Sequence, residues 1–113
     1  MTMSKLINAE TGEIILTELA LARSFWKRFV GLMFRKSLPE GFGIWIEPCK
    51  SVHTMWMLIS IDIHFLDSNN SVIEIKKNVR PWRVVLAPKN TKSVLEIGSG
   101  TIDIPTNTRI QSS

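Results

Sequence analysis

The chain has 113 residues, 44% of them apolar, a formal net charge of +4 and one cysteine. That length supports a single domain, 1–113, with a core of its own, and the composition leaves no stretch disordered. A lone cysteine excludes an intrachain disulfide, no apolar run approaches the ~18 residues of a membrane span, and the amino end lacks the apolar core of a signal peptide.

In chain order, Leu6-Ile7-Asn8 and the run Glu13 to Leu21 flank Ala9-Glu10-Thr11-Gly12. This reads as a β-hairpin, with Gly12 supplying the positive φ of the turn. Ser24 is a good N-cap. Phe25, Phe29, Leu32 and Met33 then share one helical stripe, which predicts a short helix over 24–34. Residues 38–43 read as a loop, and Ile44-Trp45-Ile46 as a short strand ended by Pro48.

Residues 58–66 alternate. Ile59, Ile61, Ile63 and Phe65 fall on one side, and Ser60, Asp62, His64 and Leu66 on the other, as in a strand with one buried face. Asp67-Ser68-Asn69-Asn70 supplies turn formers. Val72 to Lys77 alternates again, with Ile73 and Ile75 expected inward, so 59–77 is predicted to be the hairpin at the centre of the sheet. Pro81 breaks the ladder, Val84-Val85-Leu86 is a short strand, and Ser93 to Ile97 is another. Two short extended pieces around Pro105 are expected to end the chain. About seven strands and one short helix make a mainly β (α+β) chain, a single β-barrel or sandwich.

Four segments carry a resemblance. They are Arg28-Phe29-Val30-Gly31-Leu32-Met33-Phe34-Arg35; the stretch from Cys49 to Asp67 with Val52-His53-Thr54, Met57 and Ile61-Asp62-Ile63-His64-Phe65-Leu66-Asp67; Pro81-Trp82-Arg83; and Val94-Leu95-Glu96-Ile97. In order and spacing the chain resembles the domain of unknown function 192 family of small, mainly β proteins. The resemblance implies a β-dominated barrel or sandwich, and it implies no activity and no catalytic residue.

The candidate chemistry is soft and basic. Cys49, His53 and Met57 are four apart and offer thiolate, imidazole and thioether, a donor set suited to Cu(I) or Zn. Against that, a small buried Cys49 and a core Met57 are the commoner roles of such residues. Cys49 and His53 are also a thiolate–imidazole pair of the kind used by cysteine hydrolases and thiol-redox enzymes, with Asp62 or Asp67 as the orienting group. Asp62, set among isoleucines, needs donors if buried, and backbone N–H groups or Arg28 are the expected ones. Trp45, Trp56 and Trp82 with Arg80 and Arg83 suit an aromatic, basic-rimmed ligand site.

The balance favours a non-enzymatic β domain binding a small molecule or partner protein, with no cofactor and no resident metal. Its candidate ligand-binding residues are Trp45, Cys49, His53, Asp62, Arg80, Trp82 and Arg83. The soft-metal, cysteine-enzyme and nucleic-acid readings stay open as alternatives. Nucleic acid is disfavoured because the basic residues form no block of five and no recognised motif. A cytoplasmic location without a membrane partner is expected, and the sequence leaves the oligomeric state undetermined.

Overall fold

Asp67 shows why the central hairpin turns where it does. Its Oδ1 accepts the N–H of Asn69 at 2.9 Å and of Ser71 at 3.0 Å, and Asn70 takes the left-handed conformation at φ 62°, which asparagine tolerates. The computed structural model describes residues 3–22, 41–47, 51–53 and 59–113, with Met3, Ala22 and Ser51–His53 described as backbone only. The helix expected over 24–34 lies outside the described residues, as do Cys49, Trp56 and Met57.

Nine strands are present among the described residues, where about seven were expected: β1 Met3–Asn8, β2 Ile14–Ala22, β3 Phe42–Ile46, β4 Ser51–His53, β5 Ile61–Leu66, β6 Val72–Val79, β7 Val84–Leu86, β8 Ser93–Gly98 and β9 Ile110–Ser112. Seven form one sheet in the order β6-β5-β8-β3-β2-β1-β9, and β4 pairs with β7 in a second, two-stranded sheet. Among the described strands only the β2–β3 pair is parallel. Parallel neighbours cannot be joined by a tight hairpin, so the chain crosses over between β2 and β3. The large sheet curls until its outer strands meet at one corner through an isolated Ser71–Arg109 bridge and the bonds from Asn107 N–H to Val72 O (2.7 Å) and Ile110 N–H to Asn70 O (3.0 Å). No continuous ladder joins β6 to β9, so the barrel is not closed. The expected extended pieces around Pro105 reduce to β9, because residues 101–109 turn under the sheet.

The two faces of the sheet carry separate cores. On one, Ile61, Ile63 and Phe65 of β5 pack with Ala20, Phe42, Ile44, Ile46 and Val94, and Val85 and Ala87 of the small sheet side cover them. On the other, within the curl, Leu66 joins Leu6, Leu16, Leu19, Trp45, Val72, Leu95, Ile97, Ile104 and Ile110. Every residue of β5 is therefore buried, including the Asp62 and His64 side that could have faced water. A central strand covered on both faces does not alternate in burial, so alternation in its sequence understates how much is enclosed.

Two bulges decide what β6 presents. Phe65 pairs with Glu74 and Leu66 with Val72, leaving Ile73 without an opposite residue. The extra residue sends Ile73 to the first cluster and Ile75 to the second, so the two do not share a face as the alternation predicts. The second irregularity lies between the Ile61–Val79 and Ile63–Lys76 pairs, leaving Lys77 and Asn78 across from Asp62.

Candidate functional site

The second bulge builds the site. A bulge leaves a backbone N–H without its ladder partner, and here Asp62 Oδ1 accepts the N–H of Asn78 at 2.8 Å. Asn78 sits at φ 54°, a conformation asparagine adopts at modest cost. The other oxygen, Oδ2, accepts the N–H of Gly100 at 3.1 Å. Gly100 has φ 76°, which suits a residue without a side chain. Ser99 Oγ lies 3.2 Å from Asn78 Oδ1. One buried carboxylate thus ties the end of β6 to the turn after β8. Acceptance of backbone N–H groups is the role expected for a buried aspartate in this position.

His64 lies on the same face of β5 as Asp62, next to Leu95 and Ile75 in the ladders. It is 1% exposed, and its Nδ1 has no hydrogen-bond partner among the described residues. Burial pushes its pKa below the usual 6.5. Asp62, the Leu95 backbone and Asp103 act in the opposite direction, and Lys77 adds weakly to the lowering. Lys77 itself donates to Asp103 Oδ1 at 3.0 Å across the surface, a contact that raises its pKa.

Two concavities flank the end of β6. One, of about 550 Å³, is lined by Asp62, Lys77, Asn78, Asp103 and residues 99–102. The other, of about 530 Å³, is lined by Lys76, Lys77, Arg80 and Arg83, with Asn78 and the apolar Ile75, Val79, Val84 and Val85 completing it. Among the described residues the second lining has four cationic side chains and no acid, so it favours a negatively charged occupant.

The candidates read from the sequence divide among these places. Arg80 and Arg83 come together in the cationic cleft. Trp82 stands beside it, 54% exposed and at φ 65°. The backbone of His53 pairs with Val84 in the small sheet, which brings it to the same end. Asp62 lines the neighbouring concavity. Trp45 belongs to the second core cluster, and its Nε1 donates to Ser93 Oγ at 2.8 Å. Cys49 and Met57 lie outside the described residues, and no group of three His, Cys, Asp or Glu side chains suited to a metal ion occurs among the described ones.

Lys76, Lys77, Asn78, Gly100 and Asp103 join the site without having been singled out from the sequence. A signal for the lysines was present: the chain carries six Lys or Arg and no acid from Lys76 to Leu95. Gly100 and Asp103 are brought in only by the fold, since nothing local marks them.

Comparison with known proteins agrees with this architecture. The family model DUF192, described as Uncharacterized ACR, matches residues 6–111. A UPF0127 protein of Thermococcus sibiricus is 35% identical over 103 residues, covering 87% of this chain and 66% of its own length, so the chain spans just under two thirds of that relative. A UPF0127 protein of Pyrococcus furiosus is also 35% identical, covering 87% of this chain and 86% of its own. Among solved structures, a Sinorhizobium meliloti protein described as a candidate transcription regulator superposes with a TM-score of 0.79 at 21% identity, covering 97% of this chain and 92% of that one. A protein of unknown function from Novosphingobium aromaticivorans gives 0.77 at 23% identity, covering 97% and 84%. At such identities these two structures speak for the fold alone.

Proposed function

The chain belongs to the domain of unknown function 192 family, and from that premise and the geometry at the end of β6 we propose that it is a non-enzymatic β domain that binds a small anionic ligand. The supporting observation is the lining of the cleft, where Lys76, Lys77, Arg80 and Arg83 converge without an acid. Lys76 and Lys77 each have an acid nearby, Glu74 at 3.5 Å and Asp103 at 3.0 Å. Both pairs are solvent-exposed and weak, so an incoming anion can compete for those ammonium groups. The two arginines supply planar donors that match carboxylate and phosphate oxygens. Trp82 at the rim offers an aromatic face to the rest of the ligand.

An NMR titration with inorganic phosphate and with citrate at low ionic strength tests the reading. Backbone signals of residues 76–85 and the Trp82 indole should shift together. Arg80→Ala with Arg83→Ala should weaken binding about tenfold or more, the scale of losing charge-assisted hydrogen bonds. If neither anion moves any signal in 76–85, the cleft is not an anion site.

A further inference from the structure

The cationic cleft leaves the apolar side chains beside it unexplained. Trp82, Val84 and Leu86 are 54%, 49% and 76% exposed. The alternate residues Val85 and Ala87 pack on the first core cluster, so β7 has one face committed to the core and one facing outward. Three large apolar side chains at successive alternate positions are more than scattered surface hydrophobics and mark an interaction surface. Arg80, Arg83 and Lys89 flank them in a stretch without acids.

The nature of the occupant follows from charge and shape. A second copy would bring two such cation-rich stretches face to face, and three side chains fall short of the roughly 1,200–2,000 Å² of a stable interface. An added peptide strand needs a run of free edge. β7 has three residues and is bounded by Pro81 and Pro88, which have no N–H to offer. An anionic lipid surface asks for neither a groove nor an edge. It takes aliphatic side chains below the headgroups, a tryptophan at headgroup depth and cations against the negative charge.

We propose that the outward face of β7 docks this domain on the surface of an anionic bilayer, through Trp82, Val84 and Leu86 with Arg80, Arg83 and Lys89 around them. The proposal shares Arg80, Arg83 and Val84 with the cleft and Trp82 with its rim, and it rests on that reading only for the preference for negative charge. It adds surface attachment, not a membrane span: no helix among the described residues is long and apolar enough to cross a bilayer.

Vesicle sedimentation of the full chain tests it, comparing phosphatidylcholine alone with phosphatidylcholine containing about a third phosphatidylglycerol. Binding should be about tenfold or more tighter to the anionic vesicles and should weaken as salt rises. Leu86→Ser, at a position outside the cleft lining, should weaken it about tenfold or more while leaving the phosphate-induced NMR shifts of the cleft in place. Brominated-lipid quenching of tryptophan fluorescence in the unaltered protein, lost in Trp82→Phe, gives a readout that survives if the serine variant does not fold. Failure to bind anionic vesicles overturns the proposal, as does equal binding to neutral ones or undiminished binding by a folded serine variant. Self-association without vesicles, removed by the same variant, would assign the face to a second copy and also overturn it. Loss of the phosphate shifts with vesicle binding intact would refute the cleft and leave this face standing.

Discussion

Replacing Asp62 by alanine removes the acceptor that holds the β6 bulge to the turn after β8. Two bonds go, from Asn78 N–H at 2.8 Å and from Gly100 N–H at 3.1 Å. Hydrogen bonds to a charged group contribute about 1.5–3 kcal/mol each. Asn78 and Gly100 are themselves exposed, so both donors can turn to water and the loss falls below the plain sum. Removing a carboxylate that is 3% exposed also relieves its own desolvation. The expected net cost is about 2–4 kcal/mol, or roughly 10–25 °C in melting temperature for a domain of this size. Asp62→Asn keeps one acceptor oxygen and turns an amide toward the other donor, so about half the loss is expected. Urea denaturation of the two variants measures both values, and amide exchange at Asn78 and Gly100 reports the local release. An alanine variant within about 0.5 kcal/mol of the parent, the range of neutral surface changes, would refute the assignment of Asp62 as the tie. So would an asparagine variant less stable than the alanine one.

The other predictions concern the two cores and one titration. Ile61→Ala removes a fully buried side chain of the first cluster and should cost about 2–5 kcal/mol by denaturant midpoint. Gly43→Ala places a methyl group 2.6 Å from Leu16 Cδ1 and 3.3 Å from the Glu96 carbonyl, so overpacking should cost about 1–3 kcal/mol in the same assay. His64 is held below its usual 6.5 by burial; the unfolded chain therefore takes up the proton first, and stability should be complete above about pH 6.5 and fall as pH drops below it. The groups facing it are Asp62 on β5, Lys77 on β6 and Asp103 in the turn after β8. Denaturation at pH 7.5 and 5.5 should show the loss in the parent and a smaller one in His64→Phe, and equal losses would sink the role given to His64.

Much of the strand plan was legible because local chemistry and tertiary packing agreed. Asp67 to Asn70 reads as a turn and bonds its own backbone as one. Gly12, at φ 78°, turns the first hairpin. The alternation of Ile61, Ile63 and Phe65 sets the first core. What the sequence hid was the register. A bulge costs one residue and leaves no compositional mark, yet it moved Ile75 to the opposite core from Ile73. The curl that buries His64 and Leu66 depends on the late segment 101–110 returning beneath β5 and β6, a contact between parts of the chain too far apart for any periodicity to report.

The candidate site divides along the same line. Arg80 and Arg83 flank Pro81 and Trp82 in the sequence, so their convergence in one cleft is largely local. Asp62 required a different inference, from burial to donors, and its backbone partners meet that requirement. Trp45 shows where composition misleads. A tryptophan near basic loops suits a binding rim, but its place on β3, flanked in register by β2 and by β8, puts it in the core with its one polar atom bonded to Ser93. Trp82 takes the rim because Pro81 ends the ladder of β6 and prevents the next residues from joining the sheet. The aromatic residue that reaches solvent is thus selected by where the backbone can no longer pair, and that same break leaves Val84 and Leu86 outside the large sheet, next to the arginines.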